Sequence, residues 1–117
     1  MAIAETLIDS DTLSLIADAT DRATLARLLT LFIEDTNRRL DRLKALAAAR
    51  DTARLAREAH ALKGSAASMG ASAIADAAAG LELRARHGSE CRDALADLRD
   101  IAERSYPSLL GWCERPA

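Results

Sequence analysis

Asp51-Thr52-Ala53-Arg54-Leu55-Ala56-Arg57-Glu58-Ala59-His60-Ala61-Leu62-Lys63-Gly64-Ser65-Ala66-Ala67-Ser68-Met69-Gly70 runs through the middle of a 117-residue chain. Within it Leu55, Ala59, Leu62, Ala66 and Met69 recur at steps of three and four, the period of an amphipathic helix. Asp51 offers an N-cap and Gly70 a left-handed stop, so the spacing predicts a helix over 52–69. At about 100° per residue the apolar stripe centres between Leu62 and Ala66, and His60 points roughly 140° away from it. His60 should therefore meet solvent. Its face is shared by the small residues Ala53, Ala56, Gly64 and Ala67, with Arg57 and Lys63 beside it. Gly64 is the odd choice there, because glycine inside a helix costs about 1 kcal/mol relative to alanine and no core packing repays it on an exposed face.

The flanking sequence repeats the helical period. Upstream, 11–19 reads as a short helix capped by Asp9 or Ser10, with Leu13, Ile16 and Ala17 inward and Leu15 off that face. A long helix over 21–49 carries Leu25, Leu28, Leu29, Phe32, Thr36, Leu40, Leu43 and Ala47 on one side. Downstream, 73–86 has Ile74, Ala77, Ala78, Leu81 and Ala85 inward and closes on Arg84, Arg86, His87 and Gly88. A fifth helix over 90–105, capped by Ser89, carries Leu95, Leu98, Ile101 and Ala102 as far as Pro107. The tail, 106–117, holds Leu109, Leu110 and Trp112, which pack on the bundle or on a neighbour. Gly80, among alanines, suggests close helix packing. Short connections predict an all-α fold, an antiparallel up-and-down four-helix bundle with the first helix laid across one end, in a single domain over 1–117.

Composition agrees and excludes. Half of the residues are hydrophobic and 29% charged, enough for a globular core, while aromatics are 3% and valine is absent, which disfavours β folds. Sixteen basic and 18 acidic residues give a net charge of −2, with no field to hold a nucleic acid. Cys91 and Cys113 form no metal-ligand or redox spacing and read as reduced thiols. Glu5, Asp9 and Asp11 stand where a signal peptide would be basic and then apolar, and no stretch reaches the ~20 apolar residues of a membrane span, so a cytoplasmic protein is expected.

An exposed imidazole with steric clearance and nearby cations has what a phosphoryl-carrying nucleophile needs. The run from Ala59-His60-Ala61-Leu62-Lys63-Gly64 to Met69-Gly70-Ala71 closely resembles the signature of histidine-containing phosphotransfer (HPt) domains. The likeness extends to Ile74, Ala78 and Leu81-Glu82, and to Leu28-Leu29, Phe32, Glu34-Asp35 and Leu40. Two departures are Ala78, where many members have Cys, and the complete absence of Gln, which in some eukaryotic members helps hold the active histidine. The resemblance implies that His60 accepts a phosphoryl group on Nε2 from a receiver-domain aspartate, or from a sensor kinase, and passes it to a response-regulator aspartate. Lys63 would pair with the phosphoryl oxygens. Receiver domains would dock on Ala56, Arg57, Gly64, Ser65, Ala67 and Leu15. This chain would bind no metal or other cofactor, the Mg²⁺ coming from the receiver. His87, beside Gly88, suits the helix dipole and is read as structural.

No Gly-rich phosphate loop accompanies these residues, so a complete kinase is not expected. Two alternatives share the bundle: a non-catalytic adaptor that docks on a receiver, and a phosphotransfer segment of a larger hybrid or chemotaxis kinase. The initiating Met1 and the lack of a trailing linker lead to the expectation of a free-standing protein, and no surplus apolar face demands a dimer. A metal-binding bundle would need Glu-x-x-His pairs facing inward, whereas Arg57 precedes His60 by three.

Overall fold

Aspartates begin the first three helices. The structure, a computed structural model, describes residues 6–115; Glu5 and the last two residues of the tail lie outside the described residues. Helix α1 (Ser10–Ala19) starts where the Asp9 carboxylate accepts the N–H groups of Asp11 and Thr12. Helix α2 (Arg22–Ala48) is capped by Asp21, which accepts the Thr24 N–H at 2.7 Å, and α3 (Thr52–Ser68) by Asp51, which accepts that of Arg54 at 3.2 Å. Helix α4 (Ser72–Arg86) and helix α5 (Arg92–Leu110) follow, and a 3₁₀ turn (Gly111–Glu114) closes the chain. No strand occurs among the described residues.

Helix α3 packs on α4 and α2, α4 on α5, and α5 back on α2. Leu13, Leu29, Leu43, Leu62, Leu81 and Leu98 are fully buried among them. The broadest contact, α3 on α4, leaves the outer face of α3 bare beside the last turns of α4.

Two glycines end helices in the left-handed region, as their placement predicts: Gly70 at φ +74° and Gly88 at φ +67°. Gly70 is also held by close approach, since a Cβ there would sit 2.9 Å from Leu13 Cγ and 3.1 Å from the Asp9 carbonyl oxygen. The Asp9 N–H donates to the Gly70 carbonyl at 2.8 Å and the Ala73 N–H to the Leu7 carbonyl at 3.2 Å, pinning the start of α1 to the α3–α4 turn.

Several expectations need correction. Helix α5 begins at Arg92 with Cys91 at the cap position and no side-chain cap, while Glu90 rather than Ser89 accepts the Arg92 N–H, at 2.7 Å. It also continues through Pro107 to Leu110. Proline fits helical φ and forfeits only the bond to the Glu103 carbonyl; complete burial of Leu109, on the order of 2 kcal/mol, offsets most of a penalty of about 3 kcal/mol. Most of the tail is therefore ordered helix. Leu110 stays exposed, whereas Trp112 packs half-buried against the core with the Arg115 guanidinium 4.0 Å from its ring centroid. Leu28 is 38% exposed because the buried stripe of α2 follows Leu25, Leu29 and Phe32. Gly80 lies on the surface, and a Cβ there would meet nothing within 4 Å, so helix packing does not explain it. Cys91 and Cys113 are both free thiols.

Candidate functional site

His60 stands on the bare face of α3 with its side chain 61% exposed. Its ring is nonetheless anchored. Nδ1 lies 3.0 Å from Oε2 and 3.2 Å from Oε1 of Glu82, a residue on α4 whose side chain is only 9% exposed. The same carboxylate accepts the Lys63 ammonium on Oε1 at 3.1 Å, and the Arg86 guanidinium on Oε2, through Nε at 3.1 Å and Nη2 at 2.7 Å. One buried carboxylate thus joins an imidazole and a cation from α3 to a cation from its own helix.

The electrostatics follow. Burial alone would push the Glu82 carboxyl up, but the Arg86 guanidinium first, and then Lys63 and His60, hold it down at about 2. At neutral pH it is ionised and can only accept hydrogen bonds. The neutral ring of His60 must then carry its proton on Nδ1, which leaves the lone pair on Nε2, the nitrogen not held by Glu82. A ring with fixed orientation and a free lone pair is what the site offers, and such a ring can act as a nucleophile.

The remaining predicted residues divide. Gly64 and Ala67 are exposed, and a Cβ at Gly64 would meet nothing within 4 Å. Arg57 is exposed and, with Ala53 and Arg86, edges a shallow groove between α3 and α4 on the N-terminal side of His60. Ala56 is 5% exposed and forms the floor of that groove, which corrects its placement on the open face: it lies one residue from Leu55 on the side turned toward α4. Lys63 is a partner of Glu82 rather than a freely solvated cation. Ser65 is half-buried, and the hydroxyl that bonds back to the helix in this stretch is that of Ser68, which donates to the Gly64 carbonyl at 3.0 Å. Leu15 is 72% exposed on α1. His87 ends α4, its N–H donating to the Leu83 and Arg84 carbonyls, and takes no part in the cluster.

Sequence reasoning gave Glu82 and Arg86 no role. The signal was present: Glu82 falls on the inward stripe of α4 between Ala78 and Ala85, and an acid there requires a partner. Arg86 is that partner at i+4. Among the described residues no group of three His, Cys, Asp or Glu side chains is placed to hold a metal ion, and no helix is long and apolar enough to cross a membrane.

Residues 27–105 match the family model of the Hpt domain. Among solved structures, the X-ray structure of a histidine-containing phosphotransfer protein from rice superposes with a TM-score of 0.77 at 21% identity, covering 96% of this chain and 82% of that one. At that identity the likeness concerns the fold. No curated protein sequence matches the chain.

Proposed function

Since the chain belongs to the Hpt domain family and so serves histidine phosphotransfer in a phosphorelay, we propose that His60 is the residue that carries the phosphoryl group, on Nε2. The observation behind this reading is the pairing of an exposed ring with a buried acceptor at Nδ1. The Nε2 lone pair attacks the phosphorus of a receiver's aspartyl phosphate, the N–P bond forms, and the P–O bond breaks with its electrons returning to the aspartate. Positive charge then spreads over the ring, where the Glu82 carboxylate faces the Nδ1–H and offsets it. In the reverse direction the cationic ring is a good leaving group, and the phosphoryl group passes to the next aspartate. Lys63, 38% exposed, is close enough to leave Glu82 for the phosphoryl oxygens.

Gly64 admits the receiver backbone beside the histidine, and Arg57, Ala67 and Leu15 border the docking surface. Mg²⁺ belongs to the receiver's acidic pocket in this reading, since the open face of α3 presents cations and small residues. The four long helices are read as an antiparallel up-and-down bundle with α1 across one end; the short connections and the packing of α2, α3, α4 and α5 in a closed circuit support this. A cytoplasmic monomer that meets response regulators and a sensor or hybrid kinase is the matching setting, through brief contacts of modest area.

The test is phosphoryl transfer from phosphorylated receiver domains, with His60→Ala and His87→Ala alongside. Acid-labile label that survives His87→Ala and disappears with His60→Ala is expected. Label retained in His60→Ala would overturn the assignment, and docking without any label would favour the non-catalytic adaptor.

A further inference from the structure

Three donors converge on Glu82, and they are not equivalent. Lys63 reaches Oε1 through a single ammonium contact from the neighbouring helix. Arg86 places two donors on Oε2, the oxygen nearest His60 Nδ1, from the same helix and one turn on. A glutamate followed by a cation at i+4 is the favourable order within a helix, and a cation in the last turn of α4 also meets the negative end of the helix dipole. The Arg86 contact therefore survives any movement of α3 or of Lys63. From this geometry we infer that Arg86 is a positioning residue: by fixing the Glu82 carboxylate it keeps the His60 proton on Nδ1 and its nucleophilic lone pair on Nε2, leaving Lys63 free to follow the phosphoryl group.

The inference rests on the assignment of His60 as the carrier. It makes a division of labour between the two cations. If Lys63 alone held Glu82, its departure toward a phosphoryl group would strand a buried carboxylate with only the ring as partner, at a large desolvation penalty. With Arg86 in place the carboxylate keeps a charged partner throughout the transfer cycle. Arg86 is 57% exposed at its side chain, so its removal leaves the core untouched.

Removing the guanidinium frees the Glu82 carboxylate to turn away from the ring, and Nδ1 then loses the acceptor that fixes its proton. A neutral ring that carries its proton on Nε2 has no lone pair there to attack with. Other charged groups near the ring are Lys63 and, three residues before it on α3, Arg57; Glu58 of α3 pairs with Arg39 and Arg42 of α2, and Asp41 of α2 with Arg99 of α5. A change in the ring tautomer on substituting Arg86 thus reports on Glu82 and His60.

The experiment uses the full chain and phosphoramidate, a small phosphoryl donor that needs no receiver, and follows the rate of His60 phosphorylation at neutral pH for wild type, Arg86→Ala and Arg86→Lys. Nitrogen-15 NMR of the His60 ring gives the tautomer in the same samples. In Arg86→Ala the Nδ1–H tautomer is expected to fall and the rate with it, by about twofold or more. Arg86→Lys, which keeps the charge, is expected to restore much of both. Equal rates and unchanged tautomers in Arg86→Ala would overturn the inference. Absence of label on His60 in the wild type would instead overturn the assignment on which it rests, so the two failures are distinct.

Discussion

A methyl group added at Gly64 would touch nothing in the protein, yet the residue is glycine in the middle of a helix. Intrachain physics favours alanine there, so Gly64→Ala is expected to stabilise the fold by about 0.5–1 kcal/mol in denaturant melts. If the open space serves receiver approach, the same variant transfers phosphoryl groups from a receiver more slowly while its reaction with phosphoramidate is unchanged. Equal transfer rates from the receiver would count against that role. Glu82 makes the complementary case. Its carboxyl is held at about 2, chiefly by Arg86, against an ordinary value of 4.5. A depressed carboxyl contributes stability that is fully present above its unfolded value and is lost as pH falls through its folded one. The wild type should therefore lose stability between about pH 4.5 and 2 more steeply than Glu82→Gln, as read by melts across that range; parallel curves would mean that the cluster adds nothing to folding. The outward position of His60, with Lys63 beside it, was legible in the sequence because helical angle alone sets it. Glu82 was not, because its importance lies in a contact across 22 residues of chain that periodicity does not encode.

At the scale of elements, the glycines Gly70 and Gly88 look alike in sequence, each closing a helix, and both lie in the left-handed region. They differ in surroundings. Gly88→Ala meets open space and should cost only the conformational penalty, about 1–2 kcal/mol. Gly70→Ala adds a collision with Leu13 and with the Asp9 backbone, so a clearly larger loss is expected, together with detachment of α1 from the α3–α4 turn. Equal melting shifts for the two variants would contradict this packing. Helix boundaries were readable where an aspartate or a glycine marks them, as at Asp21, Asp51 and Gly70. They were misread at α5, where Ser89 resembles a cap but Glu90 supplies the bond, and where Pro107 suggests a stop that the burial of Leu109 overrides.

For the whole molecule, the sequence contained the all-helical character, the number of helices and the outward histidine, since each depends on local period and composition. The way α3 and α4 close to bring Glu82 under His60 depends on side-chain packing between helices, and so does the burial of Ala56 in the groove floor. These tertiary contacts fix the orientation of an exposed imidazole through its Nδ1. Under the proposed function the bond to phosphorus therefore forms at Nε2, the nitrogen that Glu82 does not hold. Phosphorus–nitrogen NMR of the ¹⁵N-histidine-labelled protein after phosphorylation observes that bond directly. A single phosphorus–nitrogen coupling to Nε2 of His60 is the expected result; a coupling to Nδ1, or to His87, would contradict the proposed site.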